Sequence, residues 1–415
     1  MVMNGYSMIK NMIRFFSFSF GVMLFLLTCL LTACGGTGAS VVDTSSTTAP
    51  KAAATLAVRN GPNAPSTGNQ GSAGIDVKAA GTFTTLRMLD QVHGWALNTA
   101  AVLKTSDGGV HWTNVAPIPV SSVGTFTDLN HAWIASVSSQ EVSNTVNILR
   151  TSDGGKSWQR SSFTDSEVAL INPPHFVNPQ TGWIEIINHG GPGAGNESAA
   201  IYRTKDGGQT WNKLVESGKG FDLPGFKTGI SFKDTLNGWA TGHDASNNAL
   251  LYVTHDGGKS WRPQTLPDLP GEIGTKDTFV SFQTTPPVFF GNSGLLPVQV
   301  SGQIEANKPL KGLLLYVTND GGNTWFSYWK TQPGALAPFS SDNLYIVNML
   351  HAWASDSQSG IIYTTKDGGK SWQKVANSIG NIKAFSFVDN ANGWAITDQA
   401  LWRTRDGGKS WQQAG

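Results

Sequence analysis

The chain has 415 residues, enough for one large β domain or two to three ordinary ones, and only 14% of them are charged. Its 48 glycines and 15 tryptophans suggest a turn-rich all-β protein rather than a helical one. With 29 basic against 28 acidic side chains the net charge is +1, which gives no sign of a general affinity for nucleic acid, because that needs a concentrated basic surface; local patches stay open, and no nucleic-acid partner is expected.

The chain opens with Lys10 and Arg14, an apolar run over residues 15–31, and then Leu31-Thr32-Ala33-Cys34. This is the layout of a secretory signal peptide. The final tetrapeptide resembles the bacterial lipobox, and the resemblance implies cleavage before Cys34, lipidation of its sulfur and a new N-terminus there. The plainer alternative is an uncleaved anchor that ends in cysteine. Both readings place the remainder outside the cytoplasmic membrane. The only other cysteine, Cys29, would leave with the signal, so neither a disulfide framework nor a cysteine metal site is expected. Residues 35–74 are rich in Ser, Thr, Ala, Gly, Asn and Pro and read as a flexible tether, since such a segment buries too little apolar area to offset its ordering entropy. The expected organisation is a lipoprotein signal peptide over 1–33, a tether over 34–74 and a folded domain over 75–415.

The folded domain is organised around one octet, Thr-x-Asp-Gly-Gly-x-x-Trp, which occurs at residues 105–112, 151–158, 204–211, 254–261, 318–325, 365–372 and 404–411. Ahead of each octet stands a second marker. Six copies end in Trp, at Trp95, Trp133, Trp183, Trp239, Trp353 and Trp394, and the fifth unit has Leu295 in its place. A short alternating stretch precedes each marker, and another apolar run joins marker to octet. One unit therefore reads as four short strands. Seven such units without helical periodicity predict an all-β, seven-bladed β-propeller of four-stranded antiparallel blades. The octet aspartates Asp107, Asp153, Asp206, Asp256, Asp320, Asp367 and Asp406 are expected to lock turns by accepting local hydrogen bonds. The paired glycines supply the positive φ that a tight turn needs. The octet tryptophans Trp112, Trp158, Trp211, Trp261, Trp325, Trp372 and Trp411 are expected in the core between blades. For ring closure, residues 75–79 could pair beside blade seven.

The octet resembles the Asp-box, or bacterial neuraminidase repeat. Its pairing with a Gly-Trp marker is similar to the seven-bladed propellers of the photosystem II assembly and stability factor family, and sortilin-type receptors and xyloglucanase-type glycosidases carry related boxes. The resemblance spans residues 82–415. It implies the fold strongly and the function weakly, because receptors, enzymes and scaffolds share the architecture.

No catalytic set stands out. A sialidase resembling the known family would need three arginines on a substrate carboxylate, but Arg150, Arg203 and Arg403 occupy one repeat position that Lys104, Val253, Val317 and Thr364 fill elsewhere. That places them at the blade periphery. Two-carboxylate glycoside hydrolysis needs a facing pair, and Asp165, Glu167, Glu185, Glu197, Glu216, Asp222, Asp244, Glu272, Asp277 and Glu305 offer none by spacing. One octet carboxylate per turn is too few for calcium. His93, His131 and His351 share a turn position, while His175, His189 and His243 read as solvated loop residues. The glycine-rich residues 188–195 precede a strand, not a helix, and read as a flexible loop rather than a phosphate cradle. No cofactor and no metal are expected.

Loop length carries more information. The octet turns are constant, whereas the loops between strands two and three and the links between blades vary, and in an up-and-down blade these share the opposite face. Variable loops on a rigid scaffold are where binding resides. The expected binding face carries His189, Phe221, Phe226, Tyr328, Trp329 and Phe339. The function expected is non-catalytic binding or scaffolding of a protein or glycan by a monomeric, lipid-anchored, extracytoplasmic protein. The alternative is a glycan hydrolase or lyase with its site in the central funnel. Anchoring has a direct test: Cys34→Ala is expected to move the chain from the membrane fraction to the soluble one, since the acyl chains contribute roughly 0.8 kcal/mol per buried methylene. Membrane retention at the wild-type level would refute lipidation as the anchor.

Overall fold

The computed structural model describes residues 75–76, 81–138, 144–188, 197–221, 224–267, 279–305, 308–332, 335–340 and 343–414. Cys34, the signal peptide, His189 and the glycine-rich 189–195 lie outside the described residues. Seven antiparallel blades follow one another in chain order, each with its first strand innermost. Blade one is Phe83–Met88, Gly94–Asn98, Ala101–Thr105 and His111–Pro117. Blade two is Val123–Phe126, Ala132–Ser138, Asn144–Thr151 and Gln159–Asp165. Blades four, six and seven repeat the plan, from Phe226–Phe232 to Arg262–Pro263, Asn343–Ile346 to Gln373–Ala376 and Ile382–Phe387 to Gln412–Gln413.

Blades three and five depart from the plan where prolines fall. In blade three the inner strand is split into Leu170–Ile171 and His175–Phe176 around Pro173 and Pro174. In blade five it is split into Phe279–Thr284 and Val288–Phe290 around Pro286 and Pro287. Proline cannot donate to a ladder, so each pair interrupts the strand. Blade five also carries the long hairpin Ser293–Glu305 and Lys308–Thr318. Much of what loop length alone assigns to the link between strands two and three of that blade is therefore strand. The outermost position of that blade is held by single bridges, Val317 to Phe326 and Leu313 to Ala337.

The octet turn has one construction in six copies, and in the first His111 Nδ1 stands in for the hydroxyl, 2.6 Å from Asp107 Oδ2. In the last copy the Thr404 hydroxyl donates to Asp406 Oδ1 at 2.9 Å and accepts from the Gly408 N–H at 2.9 Å. The Ser410 N–H and hydroxyl donate to the two oxygens of Asp406 at 3.0 and 2.6 Å. Gly407 and Gly408 have φ of 74° and 87°, a region that residues with a Cβ rarely occupy. Burial pushes the Asp406 carboxyl up, but the Ser410 and Thr404 hydrogen bonds outweigh it and hold the group down at about 2.

At four of the seven seams a blade is joined to the next through its second-strand tryptophan in one way. The indole N–H of Trp133 donates to the octet carbonyl of Gly207 at 2.8 Å, and Trp183, Trp353 and Trp394 donate likewise to Gly257, Gly407 and Gly108. The same rings stack on the next inner strand, Trp133 on Phe176 and Trp183 on Phe232 at 3.7 Å and Trp353 on Phe387 at 3.8 Å. The next octet tryptophan meets that phenylalanine edge-on, as Trp211 does Phe176 and Trp261 does Phe232. The octet glycines sit against these rings, and a Cβ on Gly322 would lie 2.2 Å from Trp239.

Closure differs from the expected pairing beside blade seven. Ile75–Asp76 pairs with the outermost strand of blade one, Ile75 opposite Trp112. Blade seven completes itself with its own Gln412–Gln413. Among the described residues no strand is exchanged, and the ring shuts by the joint seen at three other seams: Trp394 reaches Gly108, and the Met88 N–H donates to the Ser386 hydroxyl at 2.8 Å.

Two outcomes follow from these turns and joints. Trp183→Phe keeps the stack on Phe232 but removes the donor to Gly257, and it is expected to cost about 1 kcal/mol, whereas Trp183→Ala also empties the joint and costs about 3–5 kcal/mol; denaturant midpoints measure both. The octet aspartates have folded pKa values below their unfolded ones, so their contribution is present above the ordinary carboxylate range near 4. It is lost as pH falls through about 2, the value for Asp206, Asp320 and Asp406. Acid unfolding followed by tryptophan emission is expected to shift upward in pH when Asp406 is replaced by Asn.

Candidate functional site

The alternation of turns gives the ring two faces. The octet turns and the turns between first and second strands share one face. The loops between strands two and three and the links between blades share the other.

On the octet face the residue just before the octet threonine is a cation in four blades and there crosses to the neighbouring blade. Lys104 Nζ donates to Gly154 O at 2.8 Å and lies 4.3 Å from the Trp95 ring centroid. Arg150 Nη1 reaches Gly207 O at 3.2 Å, Arg203 Nη2 reaches Thr235 O at 3.0 Å and Arg403 Nη2 reaches Gln91 O at 3.2 Å. Arg203 and Arg403 also cover the rings of Trp183 and Trp394. These arginines are inter-blade clamps; they do not converge on a pocket. Apolar side chains stand at the tips of the inner turns of this face, Val92, Leu129, Leu236 and Leu350, each at least 41% exposed. Loop comparison missed them because these turns have constant length. Their signal is an apolar residue one or two positions before the marker.

The residues expected on the variable face divide. Phe226 begins the inner strand of blade four, is 38% exposed and stacks on His243 at 4.9 Å. Phe221 and Phe339 are core residues, not surface anchors. Gly220–Phe221 adds a short parallel strand outside blade three and turns the Phe221 ring onto Trp261 at 5.5 Å. Phe339 stacks on Tyr363 at 4.2 Å and meets Trp372 edge-on. Tyr328 packs under Lys370 of the next octet, whose Nζ lies 4.6 Å from its ring, which places it on the octet side. Trp329 is half-buried against the core of blades four and five. Val120 (72% exposed) and Leu170 (45%) join Phe226 as exposed apolar residues of the variable side.

The channel-facing strands are stitched by small polar side chains. Ser231 Oγ donates to Pro287 O at 2.7 Å, Thr228 Oγ1 to Thr284 O at 2.6 Å and Asn343 Nδ2 to Ile382 O. Arg87 donates to the Tyr345 hydroxyl. His175, expected to be solvated, instead belongs to an inner strand, and its Nε2 accepts from the Phe232 N–H at 3.0 Å. Burial lowers its pKa, and the contact with Phe232 opposes that shift.

One carboxylate is strongly perturbed. Glu185, on the second strand of blade three, is fully buried, and burial pushes its carboxyl up to about 7. The Asn172 amide, which donates to Oε2 at 2.7 Å, and Lys227 act in the opposite sense, and Glu197 adds to the rise. Four surface cavities among the described residues measure 230, 220, 280 and 250 Å³, each below the roughly 300–1,000 Å³ of ligand pockets. One of 250 Å³ lies at the link of blades one and two between Ile118, Pro119, Ile134 and Leu149, with Arg160 at its edge.

Comparison with known proteins finds sequence relatives that cover most of the folded domain. The family model described as photosynthesis system II assembly factor YCF48 matches residues 70–224, which hold the first three blades. The photosystem II assembly protein Ycf48 of Synechococcus sp. (strain JA-2-3B'a(2-13)) is 27% identical over 314 residues, covering 73% of this chain and 79% of that protein. The photosystem II assembly lipoprotein Ycf48 of Synechococcus sp. (strain CC9902) is 27% identical over 157 residues, covering 37% of this chain and 38% of that protein. Among solved structures, YCF48 bound to D1 peptide is 17% identical with a TM-score of 0.49, covering 80% of this chain and 96% of that one. The chain is thus a seven-bladed β-propeller similar to the photosystem II assembly factor Ycf48 over most of the folded domain.

Proposed function

We propose that the protein is a non-catalytic scaffold, held outside the cytoplasmic membrane by a lipid on Cys34, that binds a protein partner on its variable face. The observation that carries this reading is the similarity to Ycf48 proteins, which extends over 73% of the chain. The name of one relative as an assembly lipoprotein agrees with the lipobox at Leu31-Thr32-Ala33-Cys34. Carried to this chain, the relatives' names make the partner a component of a membrane complex under assembly, photosystem II where the host builds one.

The geometry favours binding over glycan cleavage. The inner strands carry hydroxyls and amides engaged with neighbouring backbone, and the carboxylate with the raised pKa is sealed between blades. A general acid must reach its substrate, and Glu185 has no exposed surface to do so.

Phe226, Leu170 and Val120 are the apolar anchors proposed for the partner, in keeping with the weight that a few anchors carry at interfaces. The test is quantitative affinity capture from native membranes with paired variants. Phe226→Ser with Leu170→Ser is expected to deplete the specific partner, since losing such an anchor costs about 2 kcal/mol or more. Leu236→Ser with Leu350→Ser on the octet face is expected to retain it. Depletion by the octet-face pair alone would move the interface to that face. A captured glycan without protein would replace the protein-partner reading.

A further inference from the structure

The seam between blades three and four holds a group of charges that the repeat does not predict. The position two residues after the marker is Leu97, Ala135, Thr241, Pro297, Ser355 and Ile396 in the other blades and Glu185 in blade three. Glu185 is on the same side of its strand as Trp183, which stacks on Phe232 of blade four, so its carboxyl is directed into that seam. Asn172, at the proline break of the inner strand, donates its side-chain amide to Oε2 at 2.7 Å and its backbone N–H to the Glu185 carbonyl at 3.1 Å. Oε1 is buried without a hydrogen-bond partner. An ionised carboxylate in that state carries a large desolvation penalty.

The charged groups that face Glu185 are Lys227 from the inner strand of blade four and Glu197 from the segment leading into strand three of blade three. Lys227 is 7% exposed. Its ammonium donates to the carbonyls of Gly225, at 2.8 Å, and of Glu197. An ammonium has three donors, so one of them is left for Oε1. The Lys227 backbone N–H donates to Glu197 Oε2 at 2.9 Å, and the Glu197 N–H donates to Gly225 O at 3.0 Å. Lys227 thus ties together two variable-face segments, the end of the loop after strand two of blade three and the link into blade four. The local backbone is already irregular, with a register shift between Lys227 and Gly229 and a φ of 138° at Gly229.

The geometry points to a proton-operated latch: with Glu185 neutral, Lys227 holds the Glu197 and Gly225 carbonyls together, and when Glu185 loses its proton to solvent, Oε1 draws the Lys227 ammonium away and loosens the two segments. The step breaks one O–H bond and no other covalent bond. The sign follows from burial. The folded pKa of Glu185 lies above its ordinary value of 4.5, so the neutral form favours the closed fold, fully below that value and progressively less as pH rises through about 7. The latch rests on contacts within blades three and four and is independent of which partner the variable face takes.

Hydrogen exchange of the full chain tests it, read at the Glu197 and Lys227 amides from about pH 5.5 to about pH 8.5, either side of the Glu185 value of about 7. After correction for the intrinsic pH dependence of exchange, both amides are expected to lose about tenfold in protection, the factor that one pK unit of coupling supplies. Glu185→Gln is expected to keep the low-pH protection throughout, and Lys227→Met to show low protection at both ends. Unchanged wild-type protection across the range overturns the latch, as does a transition that persists in Glu185→Gln. Should Glu185→Gln fail to fold, Lys227→Met decides alone, since a pH transition surviving in it overturns the latch and its disappearance supports it. An isotope-edited carboxyl titration gives the independent reading, with a Glu185 midpoint near 7 expected and one in the ordinary carboxylate range fatal.

Discussion

The ring depends on one joint: an indole N–H from the second strand of a blade, given to an octet carbonyl of the next while the ring stacks on the next inner strand. A tryptophan is suited to this because it brings a large apolar face and one donor, and the donor must find a partner once buried. The octet supplies that partner at a fixed place. Its threonine, aspartate and paired glycines hold the turn so that a carbonyl looks sideways at the preceding blade. The octet is therefore a turn lock and a receptor for its neighbour in the same eight residues. That double duty accounts for the constancy of five positions in all seven copies, which a turn alone does not demand.

The joint also shows what the fold tolerates. At the first seam the Trp95 indole donates to Asp128 O instead of an octet carbonyl, and Lys104 occupies Gly154 O. At the fourth, the Gln264 side chain is inserted, accepting from Trp239 and donating to Gly322 O at 2.7 Å. At the fifth, Leu295 replaces the tryptophan and the Gly369 turn rests on Leu315 instead. Blade five departs furthest, with a split inner strand, a long central hairpin and a reduced outer edge. Two of the three irregular seams adjoin blade five, while the second-strand tryptophans of blades two, three, six and seven make the standard joint.

The repeated parts of this fold were legible in the sequence because they recur in register: seven octets and six Gly-Trp or Ala-Trp markers set the blade number, the strand order and the two faces. The singular parts were not. Phe221 and Phe339 fall in loops by spacing, yet their segments re-enter the core, Phe221 through an added parallel strand and Phe339 through a stack on Tyr363. Tyr328 leaves the face assigned to its link because its segment runs back beside the next octet. Ile75–Asp76 could serve either edge of the closing seam, and two residues carry too little pattern to choose between blades one and seven. Glu185 was visible as a carboxylate but not as a buried one, since burial depends on Lys227 and Asn172 from segments far along the chain.

Glu185 nevertheless had a signal, and it lies in the comparison of blades rather than in any motif. At six equivalent positions the side chain is small or apolar, as a seam between two sheets requires, and only blade three places a carboxylate there. Replacing a buried charge by an apolar group is often neutral or stabilising, so stability alone does not call for this residue. Two neighbours serve it: Asn172, beside the Pro173-Pro174 break, gives its side-chain amide to Oε2, and Lys227, beside a register shift, gives its ammonium to the Gly225 and Glu197 carbonyls. The shift at Lys227 recurs at the equivalent place in blades one and seven, and a proline pair also splits the inner strand of blade five, so the carboxylate itself is what sets blade three apart. In a propeller, a residue's meaning is best read against its counterparts in the other blades.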